Sequence, residues 1–167
     1  MIPRGIALPF FASPREAQAT TTFDASNTTA SETIWTVTGS VFISRIWAEV
    51  STIIGVNHTA GFLRQDDGAA QQGVTADGVA LSGLAVGTVV YKEALAAVAL
   101  TLLSNATGVV SEPAAAGDMV WNGFMLVKKA THATVLEYRY TTTDTPTSGA
   151  LTWHAIWYPL SNDGALA

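Results

Sequence analysis

Hydrophobic positions along this chain recur mostly with period two, in short runs bounded by turn residues. Residues 33–38 (TIWTVT) are β-branched and aromatic and stop at Gly39-Ser40. Residues 41–54 (VFISRIWAEVSTII) predict a long strand or a bent pair. On strict alternation Phe42, Ile46, Ala48, Val50 and Ile54 share one face, interrupted only by Ser44 and Thr52. That face is expected in the core. Val41, Ile43, Arg45, Trp47, Glu49 and Ser51 share the other face. Its mixture of aliphatic, aromatic and opposite charges suits a subunit interface or a sheet edge.

Shorter strands are expected at 61–65, 88–92 and 99–103, with turns and a loop over 66–87. Residues 94–103 combine Ala and Leu, which favour helix, with Val98 and Thr101, which favour strand, and we read a strand. Three stronger strands follow at 119–128, 134–141 and 151–158. In the last, Leu151, Trp153, Ala155 and Trp157 alternate with Thr152, His154, Ile156 and Tyr158. Neither set is cleanly polar, so both faces want partners, and His154 and Tyr158 join the interface candidates. About eight short strands without a helical period predict an all-β protein. The expected form is a single antiparallel β-sandwich, jelly-roll-like. Phe42, Ile46, Val50, Phe124, Leu126, Leu136, Tyr138 and Trp153 are expected to be buried.

The first 32 residues read differently, as an extended N-terminal arm and linker ahead of a sandwich domain over 33–167. Pro3, Pro9 and Pro14 keep the arm extended, and Ile6, Leu8, Phe10 and Phe11 are its apolar anchors. Residues 19–33 are rich in Thr, Ser, Asn and Ala, as linkers are. The alternative is an arm folded back on its own sheet. A signal peptide is a poorer reading, because Pro9 breaks a short apolar stretch.

Composition points to assembly. Of the 167 residues, 49% are hydrophobic and only 13% are charged, against a usual charged share of about 25%. A monomer with so few charges struggles to cover its surface, so a homo-oligomer is expected. The net charge is −5 and the eight Lys and Arg residues are scattered, which argues against a nucleic-acid partner. The longest apolar run, 94–103, is half the ~20 residues of a membrane-spanning helix, so no membrane partner is expected. Without cysteine there are no disulfides or thiolate metal sites.

Chemistry is sparse. His58, His132 and His154 lack metal-ligand spacing. His58 and His132 fall in predicted turns and read as solvated, and His154 lies mid-strand. Asp66-Asp67-Gly68 reads as a hairpin turn rather than a calcium loop. Glu137 with Arg139, and Arg45 with Glu49, read as cross-strand or intersubunit salt bridges. No nucleophile motif occurs, so no catalytic residue, metal or cofactor is expected. Trp35, Trp47, Trp121, Trp153 and Trp157 fill a core or interface, or else line a sugar-binding face.

Three stretches resemble a group of small tailed-bacteriophage virion proteins. They are TIWTVTG at 33–39 running into Val41-Phe42-Ile43, WAEVSTIIG at 47–55, and GALTW at 149–153 continuing through Trp157-Tyr158-Pro159-Leu160 to Asp163-Gly164-Ala165. Ala48 stands where that group commonly has Gly, and Ser51 where it has Thr. The resemblance implies a virion structural protein on the capsid surface, a head decoration or cement protein. It implies a small β-sandwich trimer, with the major capsid protein as partner and an arm tying neighbours together. A tail or fibre component binding host glycans is the alternative, and a sandwich hydrolase the third reading.

Overall fold

The computed structural model describes residues 13–23, 31–55, 58, 61–92, 98–103, 123–140 and 148–167. Eleven strands make up this part of the chain: β1 (Arg15–Thr22), β2 (Ser31–Thr38), β3 (Ser40–Thr52), β4 (Gly61–Asp66), β5 (Gln71–Gly73), β6 (Val89–Tyr91), β7 (Thr101–Leu103), β8 (Phe124–Val127), β9 (Thr134–Tyr140), β10 (Ala150–Pro159) and β11 (Ala165–Leu166). They form two antiparallel sheets. Sheet A has the order β1-β10-β3-β6-β7, with β8 also paired to β3, and sheet B the order β11-β2-β9-β4-β5. Without β7, β8 and β11, the orders β1-β10-β3-β6 and β2-β9-β4-β5 are those of a jelly roll, in which consecutive strands alternate between sheets before folding back. The all-β sandwich read from the sequence is the fold of the protein.

The corner between β2 and β3 shows how the chain changes sheets. A single residue, Gly39, joins them with φ +54°, and an added Cβ would lie 2.3 Å from Asp163 Oδ1 and from Ser161 Oγ. Only glycine takes this turn without strain. The C-terminal segment braces the corner, since Ser161 Oγ accepts from the Ser40 N–H at 2.8 Å.

The core lies between the sheets. Leu151, Trp153, Ala155 and Trp157 of β10 point into it, as the alternation predicts. Trp153 is fully buried; its ring lies 5.4 Å from that of Tyr138 on the opposite sheet. Burying an indole of this size contributes roughly 4–6 kcal/mol before conformational entropy is counted. Its Nε1–H donates to Thr21 Oγ1 at 3.1 Å.

That bond belongs to a correction. The arm and linker expected over 1–32 does not extend through β1 and β2. Residues 15–22 pair in register with β10, from Arg15 opposite Trp157 to Thr22 opposite Ala150, and form one edge of sheet A. Ala17, Ala19 and Thr21 point inward there. Small residues suffice at an edge that caps the large rings of β10, so the strand resembles a linker in composition. Pairing also satisfies backbone groups that a free arm would leave to water. Ile6, Leu8, Phe10 and Phe11 lie outside the described residues.

A second correction concerns β3. Opposite β10, Ile156 pairs with Arg45 and Trp157 with Ile43, so Ser44 is an extra residue, a β-bulge. Ser44 Oγ donates to the Ile156 carbonyl at 2.9 Å. The bulge inverts the alternation. Val41 and Ile43 face the core before it, and Ile46, Ala48 and Val50 face the core after it. Val41 and Ile43 are therefore core residues, not interface residues, and Phe42 points outward. Phe124 is likewise half-buried rather than core.

Candidate functional site: the outer face of sheet A

Cross-strand register builds this face row by row. Gln18, His154, Trp47, Tyr91 and Thr101 are successive partners across β1, β10, β3, β6 and β7. One row to the side are Thr20, Thr152, Glu49 and Val89, and to the other side Glu16, Ile156 and Arg45. Beyond the bulge the outward row is Tyr158, Phe42 and Met125. Rows share a face because directly paired residues in an antiparallel ladder project to the same side.

The face is aromatic at its centre. The Trp47 and His154 rings stack with centroids 5.2 Å apart and planes 9° from parallel. Phe42 and Tyr158 meet at 6.2 Å. Phe42 can lie over β8 because residue 123 is glycine, where an added Cβ would come within 2.4 Å of the Phe42 ring. Met125 and Val127 are 69% and 60% exposed, well beyond the half-buried state of most apolar side chains here. Arg45 and Glu49 are exposed on either side of Trp47, and neither has an ion-pair partner among the described residues. Lys92 does not belong to this face: its Nζ stands 5.9 Å over the ring of Phe124, the partner of core-facing Ile43, and partial burial holds its pKa below the usual lysine value.

Of the interface candidates read from the sequence, Arg45, Trp47, Glu49, His154 and Tyr158 come together on this one face. Val41 and Ile43 do not. Tyr91, Met125 and Val127 were missed, because β6 and β8 are too short for alternation to distinguish a buried from an exposed side.

Several polar groups elsewhere hold the fold. His58 is completely buried, not solvated. The Leu81 N–H donates to its Nδ1 at 3.2 Å, and its Nε2 lies 2.9 Å from the Tyr138 hydroxyl. It missed its predicted place because polar side chains in a core need specific partners, which no local pattern reveals. His132 does sit in an exposed turn, beside Thr131 Oγ1 at 2.8 Å.

Asp66, Asp67 and Gly68 form the β4–β5 hairpin turn as expected. Asp67 Oδ1 accepts from the N–H groups of Ala69 and Ala70 at 2.9 and 2.6 Å. Those bonds hold the Asp67 carboxyl below its usual pKa, with help from Lys129. Glu137 pairs across strands with Arg64, which also meets Gln71 and stands 3.5 Å from Asp66 Oδ2. Among the described residues no group of three or more His, Asp or Glu could hold a metal ion.

Trp35, Trp153 and Trp157 are buried in the core, which leaves Trp47 as the outward indole among the described residues. His154 stacks on one face of its ring. No protein-family model matches this chain, and no curated protein or solved structure is significantly similar to it.

Proposed function

We propose that this protein is a structural subunit of a virion, a capsid decoration or cement protein that binds its neighbours through the outer face of sheet A. The observation that carries the reading is the aromatic lattice of Trp47, His154, Tyr158 and Phe42, bordered by strongly exposed Met125 and Val127. Large exposed apolar patches on sheet faces mark contact sites. Aromatic residues and Met are enriched at the centres of such contacts. The virion setting comes from the sequence resemblance. Jelly rolls serve capsids, lectins and metal-binding enzymes alike, so the fold supports the reading without choosing it.

The mechanism is thermodynamic. Each copy removes apolar surface from water at ~25 cal/mol per Å², less the cost of ordering the partners. The surplus opposes rupture of the shell. In this reading the protein catalyses nothing.

The test is immunogold labelling of intact particles purified from cells that carry the gene for this chain. Gold on heads supports a decoration role. Gold on tails replaces it with the glycan-binding alternative. Absence of the chain from purified particles overturns the virion reading.

A further inference from the structure

The outer face of sheet A is self-complementary in charge about the row that contains Trp47. Arg45 and Glu49 lie two positions before and two after it on β3, both exposed. We infer that this face binds a second copy of the chain across a two-fold axis running along the Trp47 row, in the plane of the contact and perpendicular to the strands. The inference rests on the reading of this face as the working surface and names its first partner.

Rotation about that axis maps the row onto itself, so Trp47 meets Trp47 at the centre. It brings Arg45 over Glu49 of the second copy, and Glu49 over Arg45. In the same rotation Ile156 comes over Thr152, and Glu16 over Thr20. Among the described residues no like charges meet. An axis along β3 would set Arg45 on Arg45 and Glu49 on Glu49, which costs several kcal/mol in a desolvated contact. Charge therefore selects one orientation of the two.

Size fits as well. From β1 to β7 and from Phe42 to Thr52, five positions either side of Trp47, the face measures about 20 Å by about 33 Å in plan, from strand spacing and rise. Its accessible area exceeds that plan because the side chains stand in relief. Specific dimers bury roughly 800 Å² per partner, less than a tenth of the 9561 Å² surface of this chain. An aromatic centre with charges at its margin is also how energetically dominant interface residues are arranged. The contact is two-fold, in place of the three-fold one that the resemblance implies.

Charge exchange tests the proposal. Sedimentation equilibrium of the full chain should show dimers at micromolar concentration. Arg45→Glu and Glu49→Arg, each at an exposed position, should keep the native circular dichroism. Each should raise the dimer dissociation constant ~100-fold or more, by creating two like-charge contacts. An equal mixture of the two variants should form a heterodimer of near wild-type affinity, because every contact is again between opposite charges. A monomeric wild type, a trimer, or variants that dimerise unchanged would each overturn the two-fold contact. So would a mixture that fails to restore dimers. None of these results bears on whether gold labels the particle, so the two proposals fail separately.

Discussion

Trp47 and His154 stand opposite each other on β3 and β10 with their rings stacked at 5.2 Å. Both are half-exposed on an outer sheet face, so the stack does little for the core. A ring pair of this kind contributes about 0.5–1.5 kcal/mol beyond area burial. Trp47→Ala should accordingly lower the unfolding free energy by only about 1–2 kcal/mol. It should remove self-association altogether, because the same ring sits at the centre of the contact. Urea titration at a concentration where the wild type is monomeric, with sedimentation at one where it dimerises, separates the two effects.

The buried pair of Arg64 and Glu137 behaves oppositely. Their side chains are 10% and 7% exposed, and Asp66 and Gln71 complete the cluster. Removing one partner strands a buried charge. Arg64→Met alone should cost about 3–5 kcal/mol, whereas Arg64→Met with Glu137→Leu should recover most of that loss. Chemical denaturation of the single and double variants measures both.

Two glycines make a matched comparison. Gly149 has φ +125°, and an added Cβ would lie 2.6 Å from the Ile54 Cα. Gly83 has φ +71° with nothing within 4 Å of that position. Gly83→Ala should cost only backbone strain, about 1 kcal/mol. Gly149→Ala must also displace backbone and should cost about 3 kcal/mol or more. Equal losses in thermal unfolding would contradict this account of the β10 entry.

These contrasts bear on how much was legible beforehand. The strands at 33–38, 134–141 and 151–158 were readable because long alternating runs have one solution. Trp153 and Tyr138 were correctly placed in the core for the same reason. Val41, Ile43 and Phe42 were assigned to the wrong sides because one inserted residue, Ser44, reverses every side chain before it. Such a bulge is set by pairing with Ile156 and Trp157, over a hundred residues away. β1 was hidden by its small side chains and β5 by its three exposed residues, Gln71, Gln72 and Gly73. Of the site, Arg45, Trp47 and Glu49 were readable together on one strand, and only the sheet register adds Tyr91 and Met125.

Acid should loosen the β4–β5 turn at a defined point. Asp67 has a lowered pKa because its carboxylate accepts from the Ala70 and Ala69 amides. A lowered folded-state value means the contribution is fully present above the ordinary value of 3.8 and is lost as pH falls through the folded one. The amide shifts of Ala69 and Ala70 in NMR should therefore titrate below pH 3.8, and Asp67→Asn should abolish that titration.

The central claim, that the outer face of sheet A is the working surface, is tested most directly by hydroxyl-radical footprinting. Free chain, diluted until sedimentation shows it monomeric, and assembled particles are oxidised in parallel and compared residue by residue. Trp47, His154, Tyr158 and Met125 should be several-fold less oxidised in the particle, while Val98, exposed beside the loop that follows β5, keeps its rate. Equal oxidation of Trp47 and Met125 in both states would contradict the account.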